Sequence, residues 1–431
     1  MRISIIGGAG HVGLVTGACF AEKGHEVLCI DVDQSKIEKL KNREIPFYEP
    51  GLEDICVRNV VQQRLSFSTQ TEDCLRHGEV TFICVGTPAG VEGRSDLYYV
   101  ESVARQIAER LSKYHLIVEK STVPVTTGEK VRITVERYAA EGVPFDIASN
   151  PEFTAEGRAV EDMLHPDRIV VGVHSEQAER LMREIYEPFD APLIVTSINS
   201  AELVKHASNA FLALKISFVN ALSRICELSG ADIVEVAYAL GLDQRIGGAF
   251  LRAGIGYGGS CFPKDLDAMV HIAHSLGYEF NLLKEVQDIN RDQLDHFVER
   301  IEQELWILKD KTVGIWGLAF KPETDDIRES PGIKLIRALQ ERGTRIQVYD
   351  PAAMDHARRI LKDVVFCNDA YEACFNADAL VVCTEWKEFQ EADLRQVKSA
   401  LRLPILFDGR NVFEPKSAKE LDFIYHGVGR L

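Results

Sequence analysis

The stretch Ile3-Ser4-Ile5-Ile6-Gly7-Gly8-Ala9-Gly10-His11-Val12-Gly13 predicts the fold of the region that it opens. Its apolar run predicts a buried strand, its glycines predict a tight turn, and a helical pattern follows. A second strand closes at Asp31. Strand, Gly-x-Gly-x-x-Gly turn, helix and acid in this order are typical of a dinucleotide-binding βαβ unit.

The turn predicts how a dinucleotide binds. Gly8, Gly10 and Gly13 allow a pyrophosphate to approach the backbone, and the helix that starts near His11 and Val12 supplies N–H donors. Asp31 is expected to accept hydrogen bonds from the ribose hydroxyls and, with Asp33 nearby, to repel a 2′-phosphate, which favours NAD over NADP. Lys36 is either a surface charge or a cofactor contact.

The rest of the chain repeats the alternation of strands and helices. Further strands are predicted at 80–85, 116–119 and 169–173, then one long apolar helix at 199–228, then a second α/β region that opens at Thr312-Val313-Gly314-Ile315-Trp316-Gly317. The predicted fold class is therefore α/β, with two Rossmann-like doubly wound domains joined by a long central helix and a helical dimerisation region. The predicted domains are an NAD-binding domain at 1–198, a helical linker and dimerisation domain at 199–305, and a C-terminal domain at 306–431.

Composition excludes several kinds of partner. The net charge of −17 argues against nucleic acid or an anionic membrane surface, and no apolar run reaches the roughly 18 residues of a membrane span. Residues 1–21 imitate a signal peptide, but five glycines interrupt them, so we assign them to the folded protein. Ten scattered cysteines without a Cys-x-x-Cys pair favour reduced thiols in the cytoplasm, and no metal site is expected.

The stretch from Gly254 to Asp265, Gly-Ile-Gly-Tyr-Gly-Gly-Ser-Cys-Phe-Pro-Lys-Asp, carries the clearest chemistry. Pro263 suits the first turn of a helix, which places Cys261 at a helix N-terminus, where a thiolate is favoured. Asp265 lies one turn further on the same face. This pattern predicts a nucleophilic thiol beside a base.

Three other groups of residues have two interpretations each. Asn150-Pro151 is interpreted as an N-cap and first helical position, which places Glu152 and Glu156 on one helix face, either functional or simply solvated. Lys205 and Asn209 lie one turn apart on an apolar helix and need partners or a ligand. Lys120-Ser-Thr-Val-Pro124 is either a functional loop after a strand or a plain turn.

Taken together, these motifs closely resemble the UDP-glucose/GDP-mannose dehydrogenase family over essentially the whole chain. The residues that carry the resemblance are Gly8–Leu14, Val85–Pro88, Lys120–Pro124, Asn150–Phe153, Pro166–Arg168, Glu202–Asn209, Asp243–Gly247, Gly256–Asp265, Gly317–Lys321 and Asp408–Asn411. The resemblance implies a two-step oxidation of a sugar C6 alcohol to a carboxylate with two NAD. UDP-glucose is the expected substrate and a homodimer or higher homo-oligomer the expected assembly, with GDP-mannose or a UDP-N-acetylhexosamine as alternative substrates.

The resemblance also implies roles for single residues. Asp265, through a water held by Thr122, takes the hydroxyl proton, and Cys261 holds the aldehyde as a thiohemiacetal and then a thioester. Lys205 and Asn209 stabilise the oxyanions, and Glu152 activates the hydrolytic water. Two sets of binding residues complete the expected site. The cofactor set is Gly8, Gly10, His11, Val12, Gly13, Asp31, Lys36, Thr87, Thr122, Glu156 and Lys264. The substrate set is Glu152, Phe153, Lys205, Asn209, Arg245, Phe250, Leu251, Tyr257, Gly258, Phe262, Lys321 and Arg410, in which Arg245 reaches the substrate of the partner subunit.

Some positions depart from the family pattern, and two other protein classes are alternatives. His11 stands where an aromatic residue is commoner, and Thr126 and Thr154 also differ from the usual residues. A two-electron hydroxyacid-type dehydrogenase would need no cysteine, and a non-catalytic NAD sensor would be expected to lack Cys261, Lys205 or Asp265. Arg328 is expected to pair with substrate or with the neighbouring aspartates.

Overall fold

The protein, a computed structural model that describes residues 1–88, 90 and 93–430, divides into two compact units. The first comprises Met1–Ser208 with Asp267–Gly277, and the second comprises Asn209–Leu266 with the described residues from Tyr278 onward. The predicted third domain ends at residue 431, which lies outside the described residues.

The first unit is built on one sheet. Its strands are β1 (Arg2–Ile6), β2 (Glu26–Ile30), β3 (Leu65–Ser68), β4 (Val80–Ile83), β5 (His115–Glu119), β6 (Phe145–Ser149), β7 (Ile169–Gly172) and β8 (Leu193–Thr196). Their order is β3-β2-β1-β4-β5-β6-β7-β8, and neighbours are parallel except β6 and β7. The order of the first six is that of a dinucleotide-binding sheet, and its topological switch point lies between β1 and β4.

Helices cover this sheet. They are α1 (His11–Glu22), α2 (Gln34–Lys41), α3 (Leu52–Val61), α4 (Asp73–His77), α5 (Tyr98–Ala108), α6 (Thr127–Tyr138), α7 (Ala159–Leu164) and α8 (Glu176–Tyr186). Strands β4 and β5 are buried along their whole length, as expected for a parallel sheet with apolar cores on both faces.

A long helix, α9 (Ile198–Ser229), joins the two units and agrees closely with the predicted 199–228. At 1.5 Å per residue it is about 48 Å long. Apolar residues cover most of its circumference, but Phe211, Phe218 and Ile225 remain exposed in the single chain.

The second unit repeats the architecture of the first. Its remaining elements are α10 (Ile233–Gly241), α11 (Phe262–Ser275, shared with the first unit), α12 (Asn281–Leu305), β9 (Thr312–Trp316), α13 (Pro331–Glu341), β10 (Arg345–Tyr349), α14 (Met354–Ile360), β11 (Val364–Phe366), a 3₁₀ turn (Glu372–Cys374), β12 (Ala379–Val382), α15 (Lys387–Gln390), α16 (Leu394–Ala400), β13 (Ile405–Asp408), α17 (Pro415–Glu420) and β14 (Ile424–Gly427). The sheet is parallel throughout, in the order β11-β10-β9-β12-β13-β14. The predicted fold class, two doubly wound domains joined by a long helix, is confirmed.

Two features are absent from the described residues. None of their helices has the length and apolar composition required to cross a bilayer. They also contain no group of three His, Cys, Asp or Glu side chains arranged to hold a metal ion.

Candidate active site

The turn after β1 is shaped by close packing of its glycines. Gly7 has a φ of 82°, and the N–H groups of Gly7 and Gly8 both donate to the carbonyl of Ile30 at 2.9 Å. A Cβ on Gly8 would lie 2.6 Å from the Cβ of Cys29, and one on Gly13 would lie 2.2 Å from the carbonyl oxygen of Gly7. The turn therefore forms a cradle that side chains would fill, and α1 starts immediately after it with N–H groups that no side chain caps.

Asp31 lies beside this turn at the end of β2. Its Oδ2 accepts from the N–H of Ala9 at 3.1 Å and its Oδ1 from the N–H of Asp33 at 3.0 Å. The side chain remains partly exposed, so the carboxylate is accessible to ribose hydroxyls. Lys36 is exposed, and its backbone N–H donates to Asp33, the N-cap of α2.

The second unit has a counterpart of Asp31 that is not available to a ligand. Asp350, at the end of β10, is 1% exposed and accepts from the N–H groups of Leu318, Ala319, Ala352 and Ala353 at 2.7–3.0 Å. In addition, the next helix starts only at Pro331, well after the turn that follows β9. Only the first of the two similar sheets therefore presents the acid and the helix N-terminus that a dinucleotide needs.

The loops after β4 and β5 contact each other next to the switch point. The Thr87 hydroxyl donates to the carbonyl of Thr122 at 2.9 Å. Two predicted cofactor residues are thus brought together at the edge where doubly wound sheets bind their ligands.

Sequence reasoning missed Lys120 as a functional candidate in its own right. Its side chain is buried at the end of β5, and its Nζ donates to Oδ1 of Asn150 at 3.1 Å. Burial lowers the pKa of Lys120 to about 8, and burial raises the pKa of the adjacent Glu119 to about 8. Titratable groups with such values at the edge of a sheet are candidates for proton transfer. The available signal was a charged pair, Glu119 and Lys120, at the point where an apolar strand ends.

The helix predicted from Asn150-Pro151 is wrong. Residues 151–158 are irregular, and α7 starts only at Ala159. Side-chain carboxylates take the backbone N–H groups along this segment: Glu152 binds the N–H of Thr154, Asp162 that of Ala155, and Glu49 those of Gly157 and Ala159. Gly157 also has a φ of 82°. Glu152 and Glu156 therefore do not share a helix face.

Glu152 instead forms a buried ion pair. Its Oε1 lies 2.8 Å from the Nζ of Lys205, and the two side chains are 8% and 5% exposed. Burial alone raises the pKa of Glu152, but the charge and hydrogen bond of Lys205 outweigh burial and, with the Thr154 bonds, bring the pKa to about 2. The ring of Phe153 lies beneath two cations, 4.1 Å from Arg168 and 5.7 Å from Lys205.

In the second unit, Cys261 lies directly before α11 as predicted. Pro263 is in the first turn, and the N–H of Asp265 donates to the carbonyl of Cys261 at 2.8 Å, which puts both residues on one helix face. Cys261 is exposed, whereas the other nine cysteines, all within the described part of the chain, are buried. Burial raises the pKa of buried thiols such as Cys84 and Cys383 to about 12, so Cys261 is the thiol placed for reaction.

Asp265 is held by two neighbours. It is 1% exposed, and its Oδ2 accepts from the Nδ2 of Asn209 at 2.6 Å. The Nζ of Lys264 lies 3.1 Å from its Oδ1. A buried carboxylate with an amide donor and a cation is fixed in orientation, as a proton-accepting group requires.

Aromatic residues predicted for the substrate surround Phe262. The ring of Phe262 lies 6.2 Å from that of Phe250 and 5.9 Å from that of Tyr257, while Leu251 is 5% exposed. A Cβ on Gly258 would lie 2.2 Å from the carbonyl oxygen of Glu329, so only glycine allows this loop its position. The structure brings this predicted set together.

Comparison with known proteins gives the family. Family models described as the NAD binding domain, central domain and UDP binding domain of the UDP-glucose/GDP-mannose dehydrogenase family match residues 1–190, 199–292 and 314–415. A UDP-glucose 6-dehydrogenase of Bacillus subtilis is 45% identical over 430 residues, which cover 100% of this chain and 93% of that protein. The chain belongs to the UDP-glucose/GDP-mannose dehydrogenase family. The match to its NAD binding domain confirms the prediction of NAD.

Other members of the UDP-glucose/GDP-mannose dehydrogenase family are similar along their whole length. A UDP-glucose 6-dehydrogenase of Pseudomonas aeruginosa is 42% identical over 445 residues, 100% of this chain and 98% of that protein. The structure of a UDP-glucose dehydrogenase from Pyrobaculum islandicum has a TM-score of 0.94 at 41% identity, over 100% and 98% of the chains. A UDP-D-ManNAc dehydrogenase from Pyrococcus horikoshii has a TM-score of 0.88 at 27% identity, over 100% and 99% of the chains, so the family fold is compatible with more than one sugar.

The basic residues that the family resemblance assigned to the nucleotide differ in their surroundings. Arg410 is bound to Glu385 through two hydrogen bonds of 2.7 and 2.8 Å, and the Nζ of Lys321 lies 5.6 Å from the ring of Phe320. The side chain of Arg245 is 89% exposed and paired with Asp243. Arg328, for which the expected partner was either substrate or the neighbouring aspartates, bonds to Asp326.

Proposed function

We propose that this protein oxidises the C6 alcohol of UDP-glucose to the carboxylate of UDP-glucuronate, with reduction of two NAD. The observation that carries the proposal is Cys261, an exposed thiol at the start of α11 with the buried carboxylate of Asp265 one turn later. A two-electron alcohol dehydrogenase has no need of this thiol. Relatives of 42–45% identity over the whole chain are named UDP-glucose 6-dehydrogenases, which supports the sugar.

Bound NAD supplies a hydride acceptor in each of the two oxidations. The residues that hold it are those of the glycine turn, with Asp31 at the ribose and the loop threonines Thr87 and Thr122. The glycine cradle and the uncapped start of α1 fit this group. The proposed contacts of Val12, Lys36, Glu156 and Lys264 with NAD rest on the family resemblance alone.

The chain's own groups manage the protons and the aldehyde. Asp265 accepts the proton of the C6 hydroxyl as the first C–H bond breaks, directly or through a water at Thr122. The Cys261 sulfur then adds to the aldehyde carbon to form a thiohemiacetal, whose remaining C–H hydrogen leaves as hydride to give a thioester. Water cleaves the C–S bond, which returns the thiol and releases the acid. One alcohol, two NAD and one water thus yield one carboxylate, two NADH and three protons.

Polar groups on α9 and in the loop after β6 stabilise the charged states. Lys205 and Asn209 lie on successive turns of one helix and are proposed to stabilise negative charge on the C6 oxygen. Glu152, ionised at neutral pH, is proposed to orient the hydrolytic water. Phe153, Phe250, Leu251, Tyr257, Gly258, Phe262, Lys321 and Arg410 are the proposed remaining contacts of the nucleotide sugar.

A panel of nucleotide sugars tests the substrate. The purified protein is given NAD with UDP-glucose, GDP-mannose, UDP-N-acetylglucosamine and UDP-N-acetylmannosamine, and kcat/KM is measured for each. UDP-glucose is expected to give the highest value. A higher kcat/KM for GDP-mannose or for an N-acetylhexosamine would replace the proposed substrate with that sugar.

We also propose that the protein is a homodimer formed through α9, or a larger assembly built from that dimer. Phe211, Phe218 and Ile225 recur every seven residues on one side of the helix and are 61%, 52% and 59% exposed. An exposed apolar stripe of this spacing is typical of a helix that packs against another.

In light scattering, Phe218→Glu is expected to give monomers, whereas Val61→Glu, at an exposed apolar residue of α3, is expected to retain the dimer. A dimeric Phe218→Glu protein would contradict this interface. Arg245 is then proposed to contact the substrate of the partner subunit.

Two further expectations stand as proposals. We propose a cytoplasmic location, which ten cysteines without a disulfide support. The division into domains at 1–198, 199–305 and 306–431 remains a prediction, and limited proteolysis that cuts near residues 198 and 305 is its test.

A further inference from the structure

His11 joins the dinucleotide turn to another part of the first unit. It is the first residue of α1, and its Nε2 lies 2.7 Å from Oε2 of Glu49. A carboxylate only accepts, so the imidazole donates this hydrogen bond. The ring packs against Phe47 with centroids 5.0 Å apart, and the side chain is 24% exposed.

Glu49 extends this connection to the loop that carries Glu152 and Glu156. Its side chain is fully buried in the segment between α2 and α3. Besides His11, it accepts from the N–H of Gly157 at 2.8 Å and from the N–H of Ala159 at 2.7 Å. One buried carboxylate therefore holds both the start of α1 and the irregular segment after β6.

The surroundings of His11 are mainly acidic. Burial alone lowers the pKa of His11, but the hydrogen bond to Glu49 and the charges of Glu156, Glu49 and Glu152 together raise it above its ordinary value of 6.5. Glu49 lies in the 42–51 segment, which contacts the imidazole through Phe47 and Glu49 itself, and Glu152 and Glu156 lie in the 150–158 segment. A cation at a helix N-terminus is normally disfavoured by the helix dipole, and here Glu49 offsets that cost.

We propose that the His11–Glu49 pair makes the affinity for NAD pH-dependent, with NAD bound more tightly when His11 is protonated. This inference rests on the proposed NAD-dependent oxidation. His11 is a positioning residue: through Glu49 it holds the turn and the catalytic loop in one arrangement, and its charge acts on the pyrophosphate bound at the start of α1.

The direction of the effect follows from charge. Below its pKa, the imidazolium neutralises Glu49 beside the pyrophosphate site. As pH rises through that pKa, the imidazole keeps its Nε2–H bond but loses its charge, and the remaining carboxylate repels the pyrophosphate. Bound NAD must in turn favour the imidazolium, since linkage between two binding events is reciprocal.

Direct titration of the full-length protein with NAD from pH 5.5 to 8.5 tests the inference without any turnover. The Kd of the wild-type protein is expected to rise about three- to tenfold across this range, the size of one charge near a helix terminus. His11→Tyr, whose phenol does not titrate below pH 9, is expected to give a flat profile. His174→Gln is the matched control, because His174 is an exposed residue that follows β7, four strands away from β1 in the sheet. It is expected to keep the wild-type profile.

Two further measurements distinguish a failure of this inference from a failure of the proposed function. Calorimetric titration in buffers of different ionisation enthalpy is expected to detect proton uptake when NAD binds to the wild-type protein near the His11 pKa, and this needs no variant. In steady state, the pH effect is expected in the KM for NAD more than in kcat. An active His11→Tyr enzyme with the wild-type Kd profile, or binding without proton uptake, would overturn the inference. A protein that binds NAD with the expected profile but oxidises no nucleotide sugar would instead overturn the proposed function.

Discussion

Lys205→Met tests the buried ion pair at the start of α9. Methionine keeps an unbranched apolar side chain in place of the lysine stem but removes the ammonium group 2.8 Å from Glu152. Thr154 then remains a partner of the buried carboxylate through its N–H and its hydroxyl, at 2.7 and 2.8 Å. The first unit should therefore lose stability at neutral pH.

The pKa of Glu152 gives the expected size of this loss of stability. A carboxyl that titrates at about 2 in the folded protein and at 4.5 when unfolded contributes about 3 kcal/mol at neutral pH. The cost of removing one partner of a buried pair is typically about 3–5 kcal/mol. The two values agree, so a loss of about 3 kcal/mol in the free energy of unfolding is expected.

The pH dependence makes this prediction specific. In the wild-type protein, the folded pKa is lowered, so the contribution is present above 4.5 and lost as pH falls towards 2. In Lys205→Met, burial is expected to raise the pKa of Glu152 in the folded protein. The resulting loss of folding stability is then small below the pKa of Glu152 in the unfolded protein, and it reaches its full size above the pKa of Glu152 in the folded protein. Calorimetric unfolding is therefore expected to give a larger deficit at pH 8 than at pH 5.

Two variants serve as controls. Lys215→Met makes the same change further along α9, where the ammonium group bonds to the carbonyls of Ile246 and Gly247. A smaller loss of stability, without this pH dependence, is expected. Lys205→Met with Glu152→Gln removes both charges and should recover part of the stability. An equal deficit at pH 5 and pH 8, or a double variant no more stable than Lys205→Met, would refute the reasoning.

The remaining predictions concern the dinucleotide site and a buried lysine. Gly13→Ala should lower the free energy of unfolding by about 3 kcal/mol, because its Cβ would lie 2.2 Å from the Gly7 carbonyl oxygen. Gly10→Ala, whose Cβ would lie 3.3 Å from the same oxygen, should lower it by less than about 1 kcal/mol. Chemical denaturation compares the two variants, and equal losses of stability would contradict the packing argument. Asp31→Asn should weaken NAD binding about tenfold and change NADP binding less, because a charged acceptor for the ribose is lost; an unchanged NAD to NADP preference would exclude this role. Lys120→Met should lower kcat and remove any inflection near pH 8 from its pH profile, since burial lowers the lysine pKa to about 8; a variant with the wild-type profile would exclude a titrating role.

Periodic patterns predicted the fold because they reflect burial along the local chain. The strands at 3–6 and 116–119 and the helix at 199–228 are found within one residue of the predicted bounds. The predicted strand at 80–85 ends at Ile83, where the chain leaves the sheet towards the Thr87 contact. Helix start signals also succeeded at Cys261, because Pro263 acts locally in the first turn of α11.

Contacts between distant residues were not predictable from the same patterns. The helix expected after Pro151 fails because Glu49, about a hundred positions earlier, takes the N–H groups of Gly157 and Ala159. The pairing of Glu152 with Lys205 and the engagement of Asp350 by four backbone donors likewise depend on tertiary packing. Arg410 was recognisable as a basic residue, but its two bonds to Glu385 were not.

NADH yield per UDP-glucose, measured for the wild-type protein and for Cys261→Ser under limiting sugar, tests the central role of Cys261 most directly. The wild-type protein is expected to form two NADH and one UDP-glucuronate for each sugar consumed. Cys261→Ser is expected to stop before the acid, because its hydroxyl replaces the thiol that forms and releases the thioester. One NADH per sugar in the wild-type protein, or full conversion to the acid by Cys261→Ser, would contradict the proposed mechanism.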